Sequence, residues 1–492
     1  MHRSLSKFVA PAISLAIAGG LSACMVGPDY RGPPTVAPVT LQTGRFYRVD
    51  AVPVSAEPPL AQWWLALNDA ELTRLIDLAF ADSPNLKSAA AKVRNARAML
   101  REQSATLLPS GGASAAAVSI KPPSSIGSIL GSGSSASAPS HFDLYSTALD
   151  ASWELDFFGG VRRGVENAKA SAEGRQASFE DAKVQLASEV ARAYVSLRDA
   201  QHRAALSAKS ADLENRELQL TLKRRAGGTA SDADVERLRT QLSQTRADLL
   251  PLKTTVDRYL DQLSLLTGRE PGALDSELAG SAPPPLPPSS VAIGDPAAMI
   301  RRRPDIRQAE RQLAAENAAI GQNIASYFPT VTLLGTVGYA GTQTSGLFGS
   351  RNVNALGGPS LSWNVLNFPK VQAQVNEAKA QRDTALFNYE QTVLAALQDA
   401  EDSLSRFGHQ RENVGQLTAA KDSAARAAEL TRARYAGGTA SLIDVLDTER
   451  LRLSTEQSLA QAQAMLTDDY VTLQKSLGLG WQDATSSTTR TG

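Results

Sequence analysis

The sequence is poor in the residues from which disulfide frameworks and metal centres are built. Among 492 residues there is one cysteine, Cys24, and the four histidines stand far apart, at positions 2, 141, 202 and 409. One cysteine excludes an intrachain disulfide, and scattered histidines argue against a metal site with several ligands. No set of residues has the pattern of a nucleophile with an oriented base. The sequence therefore predicts a protein that is not an enzyme and that needs no metal or soluble cofactor.

Net charge is also absent, and so is any long apolar run beyond the N-terminus. The chain has 50 Lys and Arg against 50 Asp and Glu, so nothing favours nucleic acid as a partner. No segment after the first residues is apolar over the roughly 20 residues that a membrane helix requires. Any membrane crossing by the rest of the chain would therefore have to use strands.

The first residues are typical of a secretory signal peptide. A basic start is followed by an apolar run of about 16 residues, which is short of a bilayer span. The run ends in Leu21-Ser22-Ala23-Cys24, which resembles a bacterial lipobox. That resemblance implies cleavage before Cys24 and attachment of diacylglycerol to its thiol and an acyl chain to its amine. The alternative is an ordinary signal peptide with an incidental cysteine. Met25, where inner-membrane lipoproteins typically carry Asp, favours the outer membrane.

The chain contains an internal duplication. The turn AGGTAS occurs at 226–231 and again at 436–441, and Trp153 is matched by Trp363 at the same offset of 210. Upstream the offset is 220, and it changes in a region that includes the Gly-, Ser- and Pro-rich loop 121–140. An insertion confined to a loop is what a duplicated fold predicts.

The predicted organisation is two repeats flanked and separated by loop-like segments. It comprises a signal peptide (1–23), a lipidated N-terminal segment (24–83), a first repeat (84–270), a Pro-rich linker (271–303), a second repeat (304–480) and a disordered tail (481–492). Within the repeats we expect strands at about 110–120, 143–156, 330–340 and 355–367, and helical hairpins at about 161–267 and 371–477.

The strand segments alternate apolar and polar residues. In 143–155 one face carries Leu149 and Trp153, and the other carries Asp150 and Glu154. One apolar and one polar face over about ten residues is typical of a transmembrane barrel, with a half-buried soluble sheet as the alternative. Four strands cannot close a barrel, and open edges in lipid leave backbone groups unpaired. Several copies of the chain should therefore share one barrel.

Each repeat continues into a helix of some 65 residues without an internal proline, roughly 100 Å long at 1.5 Å per residue. Apolar and small residues recur at spacings of three and four along the first of these helices, as in a coiled-coil seam. They are Phe179, Ala182, Leu186, Val190, Ala193, Leu197, Ala200, Ala204, Ala208 and Ala211. A partner helix returns antiparallel after each AGGTAS turn.

With these parts in place, the chain resembles the TolC-like outer-membrane efflux family, specifically its lipoprotein branch of the OprM/NodT type. The stretches that carry the resemblance are CMVGPDY (24–30), RRPDIRQAE (302–310), ASYFPTV (325–331), LSWNVLNFPK (361–370) and RYAGGTASLIDVLD (434–447). They cover nearly all of 24–480 and stand in the family's order.

The resemblance implies an α+β membrane protein. Its homotrimer would share a twelve-stranded transmembrane β-barrel, four strands per chain, continuous with a long periplasmic α-helical coiled-coil barrel. A middle belt would be built from the N-terminal segment, the 271–298 linker and the C-terminus. Such a trimer in outer-membrane lipid works as a passive exit duct with a periplasmic membrane-fusion adaptor and an inner-membrane RND-type pump.

The resemblance places the gate at the far end of the tunnel, where the turns reverse the chain. The turn residues, which we also expect to dock the adaptor, are Gly227, Gly228, Thr229, Gly437, Gly438 and Thr439. The four glycines permit the positive φ of a sharp reversal. Asp444 and Asp447 fall at the family's constricting aspartate rings. Tyr435 and Asp234 match positions that hold the tips closed.

Asp234 and Asp444 have a second interpretation as helix caps. Each follows a serine by three residues, as in a capping box, and acidic groups suit a helix N-terminus. Asp447 lies beyond the capping position, and its equivalent in the first repeat is Arg237. In a trimer, copies of Asp447 would meet near one axis. Like charges there repel, attract cations and raise the affinity of the carboxylates for protons.

Ala440 departs from the family pattern. The best-known members carry a basic residue at this position, and it ties the closed tip. Arg225 or Arg434 could substitute for it, and Arg237 is a further candidate for an ion pair at the tip. We therefore expect the closed tip to be held more weakly, or by other contacts, than in those members.

Two other functions fit the same parts. A type I protein-secretion duct is one, although the lipobox favours efflux. The other belongs to a different class, a lipid-anchored periplasmic coiled-coil scaffold without a pore. The exported substrate is not readable from such a duct, because selection occurs in the pump.

Overall fold

The computed structural model describes residues 25–55, 57–121 and 141–481. The predicted signal peptide, Cys24 and the predicted tail after Trp481 lie outside these residues. The chain divides into one unit of Met1–Pro33, Arg94–Glu173 and Glu310–Phe387, and a second of Pro34–Val93, Gly174–Ala309 and Asn388–Gly492. None of the described helices combines the length and the apolar character that a bilayer crossing requires.

The elements follow the duplicated order. The helices are α1 (Pro38–Thr43), α2 (Ala70–Asp82), α3 (Pro84–Ala105), α4 (Gly160–Ala226), α5 (Asp232–Leu266), α6 (Pro296–Arg302), α7 (Pro304–Ala325), α8 (Phe368–Ala436) and α9 (Leu442–Ser476). The strands are β1 (Ser110–Ile120), β2 (Phe142–Leu155), β3 (Thr330–Gly341) and β4 (Val353–Ser362). Helices α3 and α7 both begin at a proline, because the first helical position has no intrahelical hydrogen bond to lose.

The four strands form one antiparallel sheet in the order β1-β2-β3-β4. Residues opposite each other on neighbouring strands share a face. Trp153 lies opposite Leu333, and Asp150 lies opposite Thr336, so the alternation of apolar and polar residues is kept across β2 and β3. Leu149 on the apolar face is 62% exposed. Val337, opposite Leu149 on β3, is 50% exposed.

The fourth strand is shorter than predicted. The pattern assigned about 355–367 to it, but β4 ends at Ser362 and Val365–Asn367 form a 3-10 turn. The reason is register: β3 begins at Thr330, which lies opposite Ser362, so later residues have no strand beside them. Helix α8 accordingly begins at Phe368 instead of 371.

Both repeats make the same hydrogen bond where a helix leads into the sheet. Trp153 Nε1 donates to the carbonyl of Leu107, and Trp363 Nε1 donates to the carbonyl of Tyr327, both at 3.0 Å. The tryptophans are 210 positions apart and the carbonyls 220. This hydrogen bond therefore recurs in both repeats and joins a residue from each side of the point where the offset changes.

The residues that follow Cys24 are fixed by Arg163 near the start of α4. This side chain is only 2% exposed. Its Nε donates to Val26 O at 3.2 Å, and its Nη2 reaches Asp29 Oδ1 at 2.6 Å. Glu166 takes the remaining nitrogen at 2.7 Å. A buried guanidinium is tolerated only when it is paired in this way, so Arg163 and the N-terminal segment hold each other.

The core of the second unit is aromatic at its centre. Trp63 and Trp64 are almost fully buried, and their rings meet edge to face at 5.6 Å between centroids. Tyr470 of α9 donates its hydroxyl to the carbonyl of Trp63 at 3.3 Å. The N-terminal segment also forms a parallel bridge between Val54 and Val291 of the linker. The N-terminal segment, the linker and α9 therefore pack together.

The seam of α4 departs from the predicted one after Ala200. Ala208 is exposed, whereas Ala211 is buried as predicted, and Ser207, Glu214 and Leu218 are among the other buried positions. The predicted seam took two four-residue steps in succession from Ala200. Each such step advances about 400° on a helix of 3.6 residues per turn, so two of them rotate a side chain about 80° off the face. The predicted seam placed Ala208 where the helix buries Ser207 instead, and it returns to the buried face at Ala211.

We expect Gly27→Ala to release the N-terminal segment. Gly27 has φ +91°, and a Cβ there would lie 2.4 Å from the Gly321 Cα. Gly32→Ala is the matched control, since φ is +102° and no atom lies within 4 Å of its Cβ position. Gly27→Ala should lower the free energy that holds this segment in place by at least about 1 kcal/mol more than the control does. Amide hydrogen exchange over residues 25–33 should therefore be faster in Gly27→Ala. Equal exchange in both variants would show that the close contact is unimportant.

Candidate functional site at the two helical turns

The first AGGTAS turn ends α4 with a Schellman motif. Thr229 N donates to Arg224 O, and Gly228 N donates to Arg225 O, both at 2.9 Å. These bonds satisfy the last carbonyls of the helix, and the motif needs one left-handed residue. That residue is Gly228, with φ +76°. The second turn repeats the motif at the end of α8 with Thr439 N to Arg434 O at 2.9 Å, Gly438 N to Tyr435 O at 3.0 Å, and Gly438 at φ +74°.

The first glycine of each turn does not use the freedom expected of it. Positive φ occurs at Gly228 and Gly438 but not at Gly227 or Gly437. A Cβ at Gly227 would lie 3.6 Å from Arg224 O, an ordinary contact. Of the four turn glycines, two are therefore required by backbone conformation and two are not.

The structure places Asp234 and Asp444 in helix caps. Ser231 Oγ accepts from Asp234 N at 3.2 Å, and Asp234 Oδ2 accepts from Ser231 N at 3.1 Å. Ser441 and Asp444 make the same box at 3.2 and 2.8 Å. The hydrogen bonds from Ser231 hold the pKa of Asp234 below its usual range, and those from Ser441 do the same for Asp444. Both carboxylates are therefore ionised near neutral pH.

Asp447 has no such role in its own chain. It is exposed on α9, one helical turn beyond the start, and it has no hydrogen bond or ion pair to any described residue. Its equivalent, Arg237, lies with Nη1 3.9 Å from Asp234 Oδ1. The first hairpin thus follows its capping acid with a base, whereas the second follows it with an unpaired acid.

A direct contact links the ends of the two long helices. Arg224 Nη1, near the end of α4, donates to Tyr435 Oη, near the end of α8, at 2.8 Å. The guanidinium also lies 5.3 Å from the centre of the tyrosine ring, so hydrogen bonding and a cation–π interaction act on the same pair. Sequence reasoning missed Arg224, because the 210 offset matches it with Arg434 and gives no sign that it meets Tyr435.

The arginines expected to replace the missing base at Ala440 stay within their own turns. Arg225 pairs with Asp232, and Arg434 Nη2 donates to Thr439 O at 3.4 Å. Within the described ranges neither arginine contacts the other turn. Asp234 likewise bonds only inside its own hairpin, so Tyr435 alone of the two predicted closing residues reaches across. The hydrogen bond between the ends of the two hairpins is supplied by Arg224, and Leu442 and Leu446 of α9 pack against the apolar cluster of α4 and α5 beside it.

No metal centre stands out in the part of the chain that the structure describes, where no group of three or more His, Cys, Asp or Glu side chains could hold an ion. The arrangement instead offers two compact helix reversals, a hydrogen bond between the helix ends beside them and an exposed acid.

Comparison with known proteins identifies the class of channel. The family model of the outer membrane efflux proteins matches residues 75–269 and 296–479. Outer membrane protein OprJ of Pseudomonas aeruginosa is 30% identical over 477 residues, 96% of each chain. Nodulation protein T of Rhizobium leguminosarum bv. trifolii is 28% identical over 480 residues, 97% of this chain and 98% of the relative. The solved outer-membrane channel OprN superposes with a TM-score of 0.84 at 32% identity, covering 94% of this chain and all of that one.

The chain belongs to the outer membrane efflux protein family. The resemblance to the OprM/NodT type and the fold class of the TolC-like trimeric channels are thereby confirmed. The protein is the outer-membrane channel component of a tripartite efflux pump, and it extends from the outer membrane of a Gram-negative bacterium into the periplasm. Its relatives are channels and not enzymes.

Tyr435→Phe should make the closed channel open more often. The substitution removes the oxygen that accepts from Arg224 and keeps the ring. The closed state should therefore lose about 1 kcal/mol of stability relative to the open state, which raises the open-to-closed ratio roughly fivefold. Single-channel recording measures that ratio. Tyr47→Phe, at a residue that is 76% exposed, is the control and should behave as wild type. An unchanged ratio in Tyr435→Phe would remove this pair from the closure.

Proposed function

We propose that the chain forms a passive exit duct that closes at the two AGGTAS turns. The observation that carries this proposal is Asp447, an exposed carboxylate beside the second turn without a partner among the described residues. In a cyclic oligomer, a residue near the axis meets copies of itself. An acid left unpaired within its own chain is suited to such a ring.

The sheet supports a homotrimer. Strands β1 and β4 are its edges, and each leaves one side of its backbone unpaired in a single chain. Open edges are not tolerated in lipid, and pairing β4 of one copy with β1 of the next removes both. Three copies of four strands make a barrel of twelve. Its apolar face, with Leu149, then lies against lipid, and Asp150 lies on the lumen side.

The electrostatics of a closed tip follow from the ring. The capping hydrogen bonds keep Asp444 ionised, and Asp447 adds a second carboxylate one turn further along α9. Three copies of each repel one another at close range and concentrate cations. The repulsion favours opening, and the Arg224–Tyr435 pair opposes it within each chain. Closure is then a balance between the ring and this link.

The lipid anchor is supported by the position of the segment behind it. Val26 N donates to Phe158 O at 3.1 Å, so the segment lies where β2 passes into α4. Arg163 fixes the same segment. Met25, which follows Cys24 in the sequence, lies against Gly159 between β2 and α4. That is where the surface of the bilayer meets the barrel.

Docking and transport are assigned to separate parts. The turn residues are exposed, and we assign them to contact with a periplasmic membrane-fusion adaptor, which joins the duct to an inner-membrane RND-type pump. The duct itself catalyses no reaction. Conduction needs a wall, a gate and docking surfaces, and the choice of substrate lies in the pump.

The double variant Asp444→Asn/Asp447→Asn loses the repulsion that favours opening and the field that concentrates cations, so in planar bilayers it should conduct less than wild type, by at least about twofold, and prefer cations less. Asparagine retains an oxygen for the cap at 444 and removes both charges. Asp248→Asn, at an exposed aspartate whose carboxylate accepts from Gln244 at 2.9 Å, is the control. Conductance and selectivity unchanged from wild type would contradict the gate assignment.

A further inference from the structure

A buried carboxylate with an unpartnered oxygen lies in the seam of α4, away from the turns. Glu214 is 8% exposed. Its Oε1 accepts from Thr245 Oγ1 at 3.0 Å and from Gln241 Nε2 at 3.3 Å, both on α5. Its Oε2 is buried without a hydrogen-bond partner among the described residues. A buried ionised oxygen left unpaired is costly, and a proton on it would relieve that cost.

Two further carboxylates surround this position. Glu217 follows one turn along α4, and Glu449 approaches from α9. Burial raises the pKa of Glu214 above its usual range; hydrogen bonds from Thr245, Gln241 and Ser210 oppose part of this rise, and the Glu449 charge adds a smaller one. Burial and then Glu449 also raise the pKa of Glu217. These groups bring together α4 of the first hairpin and α9 of the second.

The positive charges that face the cluster are already engaged. Arg432 of α8 and Arg452 of α9 both pair with Glu449, the latter at 2.9 Å. Arg452 also pairs with Glu456 at 2.7 Å. From α5 the contacting groups, Thr245 and Gln241, are uncharged. When every carboxylate is ionised, the cluster therefore carries more negative than positive charge.

We propose that Glu214, Glu217 and Glu449 form a proton-binding joint between the two helical hairpins, with Glu214 as the group that takes the proton. Protonation tightens the joint, because it removes a buried unpaired charge and the repulsion across α4 and α9. Loss of the proton to solvent loosens it. Proton binding by the joint does not depend on the proposed function. Its effect on the duct does rest on that function, because opening at the turns requires one hairpin to move against the other.

The direction of the pH effect follows from the raised pKa of Glu214. An acid whose pKa is higher in the packed state holds its proton more tightly there than in the loosened state. Below the ordinary glutamate value of 4.5 both states are protonated, and the joint keeps its full strength. As pH rises from that value through the raised pKa, the packed state gains a buried charge and loses its advantage. Acid therefore favours the closed duct.

Glu214→Gln tests the joint, because glutamine copies the neutral carboxyl in shape. Full-length trimers are recorded in planar bilayers between about pH 5 and about pH 7.5. Wild type should close more in acid, whereas Glu214→Gln should be mostly closed throughout, with a pH response at least about threefold smaller. Glu236→Gln is the control, since Glu236 is 66% exposed in a surface pair with Arg239, and it should keep the wild-type response.

Hydrogen exchange over residues 205–220 at one neutral pH gives an independent readout. Exchange should be slower in Glu214→Gln than in wild type, and Glu217→Gln should change it in the same direction by less. A full pH response in Glu214→Gln, or faster exchange in both variants, would overturn the joint. A wild-type chain that forms no channel would contradict the proposed duct instead, and the exchange comparison would still decide on the joint.

Discussion

Unpaired backbone at the edges of β1 and β4 is the constraint on which the architecture depends. Each chain contributes four strands, too few to close, and lipid offers no hydrogen bonds to the exposed edge groups. The edges must therefore be paired between copies. The proposed ring of Asp447 depends on this arrangement of copies around an axis, in which a duplicated chain supplies two hairpins per copy to the wall of the channel.

The duplication preserves backbone chemistry and varies charge. Both turns keep the Schellman glycine and the capping box, because these satisfy the helix ends whatever the turn does. What differs is the residue one turn further on, Arg237 in the first hairpin and Asp447 in the second. The long helices likewise end differently, and the Arg224–Tyr435 contact exists only because the copies diverged. In the proposed gate, the functional positions are therefore the ones that the repeats do not share.

Much of the fold was predictable from spacing alone. Strand alternation, the long helices without internal proline and the paired turns are local signals, which do not depend on contacts with distant parts of the chain. The end of β4 was not predictable, because it is set by where β3 begins. Arg224 was missed because its partner lies 211 residues away outside the repeat offset. Glu214 was missed because a charged residue in a seam is buried only when α5 and α9 are packed around it.

Thiol cross-linking at Asp447 tests the central claim most directly. In Asp447→Cys the new thiol is the only one besides Cys24, so oxidation of the assembled protein reports whether copies meet at this position. The account predicts disulfide-linked dimers and conductance that falls when the thiols are bridged, with neither effect in an Asp248→Cys control. Monomers only, with conductance unaffected by oxidation, would contradict a ring of Asp447 at the closed end of the duct.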